Sequence, residues 1–189
     1  MRALANFAEY PAGRPLVSDD IIEFHAARLL LLLQVCGTKN RRIDGLTKLA
    51  KLDFFVRYPG FFARACEQLG VDATFRTAEV ETVVESTMVR YHYGPWDHRY
   101  YHVLAYLEGK GLVEVSRGSS KAFQFELTDR GIERAKMLSE LAPFQEQAVL
   151  MRQVRKILGK KTGSQLKDLV YQLFGREVAE RPLGEEIGE

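Results

Sequence analysis

The densest run of reactive side chains is RYHYGPWDHRYYH, residues 90–102, which carries the only tryptophan and three of the four histidines. His98 and His102 stand one helical turn apart and could share a zinc ion, with Asp97 or His92 as a third ligand. The spacing is bare, however. No HExxH surrounds it, and Arg99 beside the pair repels a cation, so neither a metal nor a cofactor is expected. The aromatic residues offer a second chemistry: Tyr91, Tyr93, Trp96, Tyr100 and Tyr101 could stack on bases or fill a partner's pockets. The charges around them are mixed, which favours a packed strand-to-helix joint and a protein interface.

A second candidate is MRQVRKILGKK, residues 151–161. It carries Arg152, Arg155, Lys156, Lys160 and Lys161 with no acid among them and could hold phosphates by charge alone. It reads equally as a solvated helix face balanced by the acids of residues 177–189. Catalysis has little to stand on. The chain has no Walker loop, no GxSxG and no glycine fingerprint after a strand. Cys36 and Cys66 lie in apolar periodic stretches with neither CxxC spacing nor an activating context. A non-enzyme is expected.

Across 189 residues, 46% hydrophobic and 28% charged content supports a real core, and a net charge of +2 argues against a protein that coats DNA non-specifically. Any basic site must be local. Two lone thiols suit a reduced cytoplasmic compartment. Residues 1–14 lack the apolar stretch of a signal peptide, and LLLLL at 29–33 is too short to span a bilayer. The expected location is cytoplasmic, with no membrane partner.

Several elements must position these residues. Residues 1–17, with Pro11, Gly13 and Pro15, read as an irregular arm. A helix capped by Ser18, Asp19 or Asp20 runs to about Val35 and is apolar nearly all round, which suits the middle of a fold or an interface. KNRRID is read as a polar connector. GLTKLAKLDFFVRYPG is a second helix stopped by Pro59, with Leu46, Leu49, Leu52, Phe55 and Val56 on one face. Lys48, Lys51 and Arg57 are expected to stay wet, and Asp53 is placed to pair with Arg57. FFARACEQL is a short helix ending at Gly70, and residues 77–87 fit helix or strand. Val89, Tyr91 and Tyr93 alternate with polar residues as a strand. A Gly94-Pro95 turn leads to a helix that Asp97 caps and Trp96 staples against Tyr101. Two strands, 112–116 and 122–127, flank a basic turn at 117–121. Thr128 caps DRGIERAKMLSEL, which Pro143 ends or interrupts, and helices near 144–158 and 164–174 precede a loose acidic tail.

That order predicts a mainly α fold with a small β-hairpin: a winged helix-turn-helix core, an insertion between its second and third helices, and a C-terminal helical extension. The expected divisions are an arm at 1–17, a winged-helix-like domain at 18–142 with the insertion at 58–96, the extension at 143–175, and an acidic flexible tail at 176–189. The GLVEV…FELTDRGIERA half is similar to MarR-like and PadR-like regulators. The resemblance implies that residues 97–110 enter the major groove with His98, Arg99, His102 and Lys110, while Arg117 and Lys121 of the wing touch phosphates. The insertion departs from that pattern. KLAKLDFFVRYP and VRYHYGPWDHRYYHVLAYLEGKGLV together resemble the middle component of bacterial ABC-three-component systems, the group that includes Lamassu-type anti-phage defence. This likeness covers residues 43–135. It implies a non-catalytic winged-helix subunit that bridges an SMC-like ATPase subunit and an effector subunit, often a nuclease, and reaches DNA through the complex. A homodimer is compatible with it. The Panacea antitoxin domain similarly pairs a KLxKLxxF helix with a later YGP turn, and implies an antitoxin instead. The apolar first helix and the aromatic joint both read as surfaces wanting partners.

Overall fold

A helix with leucines on every side cannot leave them in water, and it takes the centre of the molecule. The structure is a computed structural model that describes residues 21–38, 40–71, 87–118, 121–175, 178 and 180–187. Its elements run α1 (Ile22–Cys36), β1 (Arg42–Asp44), α2 (Leu46–Arg57), α3 (Pro59–Gln68), β2 (Met88–Tyr91), β3 (Gly94–Trp96) and α4 (Tyr100–Gly109). There follow β4 (Val113–Arg117), β5 (Phe123–Leu127), α5 (Asp129–Glu140), α6 (Ala142–Leu158), α7 (Gly163–Leu173) and β6 (Glu186–Ile187). The fold is mainly α, with two small antiparallel sheets. All five leucines of 29–33 are buried, and α4, α5 and α6 pack against α1. The first helix therefore closes the chain's own core and is not a surface waiting for a partner. Its expected caps, Ser18, Asp19 and Asp20, lie outside the described residues, as do the arm at 1–17 and most of 77–87.

The first sheet has the order β1-β5-β4. KNRRID is thus not a plain connector, because it contains β1. Ile43 sits opposite Phe125 and both are buried. One inward residue between polar neighbours leaves no periodicity to read, so pairing with β5 decides the strand. Thr128 caps α5 as expected, its hydroxyl accepting the Gly131 N–H at 3.0 Å. Gly131 is required there, since a Cβ would lie 1.9 Å from the Leu112 carbonyl oxygen.

The second sheet, β3-β2-β6, revises two expectations. Its β2–β3 hairpin turns at His92 and Tyr93, because Tyr91 pairs with Gly94. Gly94 and Pro95 are strand residues, with Gly94 at φ +88° and Pro95 on an edge strand that tolerates a missing N–H. The chain end is not a flexible tail over its described part. Ile187 and Val178 are fully buried, and Ile187 pairs with Met88. The Tyr58 hydroxyl donates to the Ile187 carbonyl at 3.0 Å and accepts the Met88 N–H at 2.7 Å. One buried phenol joins three segments.

Nor are α6 and α7 an appendage. Met151, Val154 and Leu158 of α6, Leu166 and Val170 of α7, and Phe174 beyond it belong to one buried cluster with α1, α2 and α3. Phe174 meets the Phe61 ring edge-on at 4.7 Å. The stop at Pro59 is also a start: α2 ends at Arg57, and Pro59 opens α3, where its missing N–H costs nothing.

Ile187→Ala should therefore lower stability by about 2–4 kcal/mol, measured by urea unfolding. A change below about 0.5 kcal/mol, the usual size for a surface substitution, would mean that this end is loose after all.

Candidate partner-docking face and its charged support

The second helix interleaves its charges with its apolar residues, and it is buried all round from Leu49 to Arg57. Lys51, Asp53 and Arg57 are buried, which corrects the expectation that Lys51 and Arg57 stay wet. Buried charges persist only when partnered, and these are. Asp53 accepts from Arg28 Nε at 3.0 Å and from the Tyr100 hydroxyl at 2.8 Å. Arg57 lies 3.7 Å from Asp53, the expected i,i+4 pair but buried, and donates to Asp97 at 2.7 Å. Asp97 also accepts from the Arg99 backbone N–H, Nε and Nη2 at 2.9, 2.8 and 3.0 Å. The His25 ring stands between Arg28 and Arg99, 3.1 and 3.3 Å from their Nη1 atoms. His25, Arg28, Asp53, Arg57, Asp97 and Arg99 thus close a ring linking α1, α2 and the turn before α4.

Burial alone would raise the Asp97 carboxyl. Hydrogen bonds from Arg99 and the charges of Arg57 and Arg99 more than reverse this and hold it well below the usual carboxylate range. Burial and the neighbouring Asp53 push the Tyr100 phenol up. Lys51 stands apart from the ring. Its Nζ donates to the Pro95 carbonyl at 2.9 Å, and burial lowers its pKa to about 7.

This support carries an aromatic outer face. Trp96, half-buried, stacks on Tyr91 at 6.0 Å and meets Tyr101 at 5.8 Å, the expected staple contact. Tyr93 and Tyr101 are each 62% exposed and Tyr91 43%. Tyr100 is not part of this face. Successive helical residues point about 100° apart, so Tyr101 faces out while Tyr100 is buried on Asp53. Nor is Asp97 a conventional N-cap. Arg99 holds that position without a side-chain cap, and Asp97 closes the preceding turn.

The residues expected to touch nucleic acid divide three ways. His98 and His102 are exposed on or beside α4, while Arg99 is committed to Asp97 and His25 and is not a free contact. Among the described residues no three His, Cys, Asp or Glu side chains gather as a metal site. In the β4–β5 hairpin Arg117 and Lys121 are exposed, with the Arg117 guanidinium 4.8 Å over the Phe123 ring; Lys110 lies over Tyr106 at 5.3 Å. Arg152, Arg155, Lys156 and Lys160 line an open cleft of about 730 Å³ together with Cys36, Gly37, Thr38, Lys48 and Gly159. Lys161 is half-buried and not in the lining. Cys36 donates to the Met151 carbonyl at 3.4 Å, and burial pushes its thiol up to about 12, so it is no nucleophile at neutral pH. Sequence reasoning missed Lys48 as a cleft residue and His25 and Arg28 as ring members. The available signal was a polar pair set inside the leucine-rich first helix.

Two outcomes test the support. Asp53→Ala leaves Arg28 and Arg57 buried around a missing carboxylate and should cost about 3–5 kcal/mol, read from denaturant unfolding. Lys51 titrates near 10.4 when unfolded and at about 7 when folded, so between those values the unfolded chain binds more protons. Stability then rises with pH by up to about 1.4 kcal/mol per unit, and below the folded value the burial penalty is complete. Lys51→Met should exceed wild-type stability below pH ~7, with the gap closing toward pH ~10; a constant gap across that range would refute the assignment.

Among the described residues no helix is long and apolar enough to cross a membrane. Comparisons with protein-family models, with curated proteins and with solved structures find no match for this chain.

Proposed function

We propose that this chain is a non-catalytic, winged-helix-type subunit that docks a protein partner through the aromatic face around Trp96. The connectivity α1-β1-α2-α4-β4-β5-α5, with the antiparallel order β1-β5-β4, supports the winged-helix reading. In it α3 and the β2–β3 hairpin are an insertion between the second and third helices. The observation that carries the docking role is a pair of exposed tyrosines, Tyr91 and Tyr101, packed against Trp96, with Tyr93 exposed in the adjoining hairpin turn. Tyrosine and tryptophan on a rigid base are the side chains that anchor protein interfaces. The outward residues of α4 and the turn before it include His98, Tyr101, His102, Ala105 and Glu108. That mixture is poor in phosphate-binding cations and suits a protein better than a DNA groove.

The resemblance to ABC-three-component middle components names the partner class: an SMC-like ATPase and its effector, in a cytoplasmic anti-phage complex. The test is co-expression with neighbouring genes of those types, followed by affinity purification. Tyr93→Ala with Tyr101→Ala should reduce recovery of the partner about tenfold or more, in line with loss of an aromatic hot spot, without moving the melting temperature. Recovery of the chain alone in wild-type form would reject the assignment.

The exposed Arg117 and Lys121 favour a second reading, a MarR-like or PadR-like regulator whose wing grips DNA. It requires salt-sensitive binding to a palindromic site, weakened by Arg117→Ala and Lys121→Ala.

A further inference from the structure

The cleft between the ends of α1 and α6 has a chemistry that the docking face lacks. The buried stripe of α6, Ala148, Met151, Val154 and Leu158, turns Arg152, Arg155 and Lys156 outward. Gly159 ends the helix and Lys160 follows in the turn. Lys48 reaches across from α2 to donate to the Gly159 carbonyl at 2.9 Å. Five cations thus line one cleft of about 730 Å³, and no acidic side chain lines it.

A simpler role for these cations is to offset the carbonyl ends of α1 and α6. Each helix C-terminus is worth about −0.5 charge, so together they offset about one cation and leave a surplus of about four. Lys48 is the cation that meets a terminal carbonyl directly. Among the described residues Arg152, Arg155, Lys156 and Lys160 pair with no carboxylate. Helix-end compensation therefore accounts for only a fraction of the charge.

The rest of the lining narrows the ligand. Cys36 and Thr38 are its only uncharged residues other than glycine, and it contains no aromatic ring. The lining therefore lacks the aromatic platform on which single-stranded bases stack. We infer that this cleft binds a run of consecutive phosphates, from a nucleic-acid backbone or a free polyphosphate, without reading a base. The site is separate from the Trp96 face, so the proposal stands whether or not that face docks a protein.

Fluorescence anisotropy of a labelled oligonucleotide at low salt, with inorganic tripolyphosphate as competitor, tests this. Wild-type protein should bind saturably whatever the base sequence. The combined variant Arg152→Ala, Arg155→Ala, Lys156→Ala should lose about tenfold or more in affinity, with a salt dependence shallower by about one unit per lost contact. These side chains are exposed, so its melting temperature should match wild type. Displacement by tripolyphosphate at equal phosphate concentration assigns the cleft to free polyphosphate. Displacement only by a second oligonucleotide assigns it to backbone. The proposal is overturned if the folded triple variant binds as wild type does, or if wild type binds neither probe. It also fails if binding survives the triple variant and is lost in Arg117→Ala with Lys121→Ala.

Discussion

Two buried carboxylates, Asp53 and Asp97, hold Arg28, Arg57 and Arg99 in fixed relation to one another, and the rest of the molecule is arranged around that network. Arg28 belongs to α1, Asp53 and Arg57 to α2, and Asp97 and Arg99 to the turn that starts α4. A buried ion network contributes little net stability over a well-packed apolar substitute. Its hydrogen bonds are short and directional, so it fixes how the three segments meet. Removing one member leaves the others charged in a dry core. The network therefore constrains geometry more than it adds to the folding free energy.

That constraint explains the two-sided character of the joint at residues 90–102. Inward, Tyr100 donates to Asp53 and Asp97 gathers its guanidinium partners. Outward, Trp96 holds Tyr91 and Tyr101 in contact. The hairpin β2–β3 is secured from behind by Lys51 on the Pro95 carbonyl and by β6 pairing with β2. An aromatic face mounted this way is pre-organised, which lowers the ordering cost of binding. The cationic cleft is a different surface, lined from α1, α2 and α6. One face offers apolar area and hydroxyls and the other offers charge, so they suit different ligands.

Much of the fold follows from local rules. The apolar spacing of α2, α4, α5, α6 and α7 marks them as helices, and Thr128 caps α5 by ordinary N-cap chemistry. The hairpin of β4 and β5 announces itself by two β-rich runs around a polar turn. The tyrosine-rich composition of the joint and the basic run of α6 are equally readable, since each depends only on residue type and spacing. The short strands β1 and β6 are not, because each has one inward residue, Ile43 or Ile187, set among polar neighbours.

By itself, then, the sequence determined the helical periodicity, the Thr128 cap, the aromatic content of the joint and the local concentration of positive charge. The tertiary structure alone decided which charges are buried. Lys51, Asp53 and Arg57 find Pro95, Arg28 and Asp97 at separations of 44, 25 and 40 residues. It also decided that Tyr100 faces inward, that Glu186–Ile187 pair as a strand, and that Lys48 joins the cleft of α6. The physical reason is common to all of them. Periodicity reports what each residue would cost in a dry core if it stood alone, whereas the true cost depends on a partner that only the folded chain brings within hydrogen-bond distance.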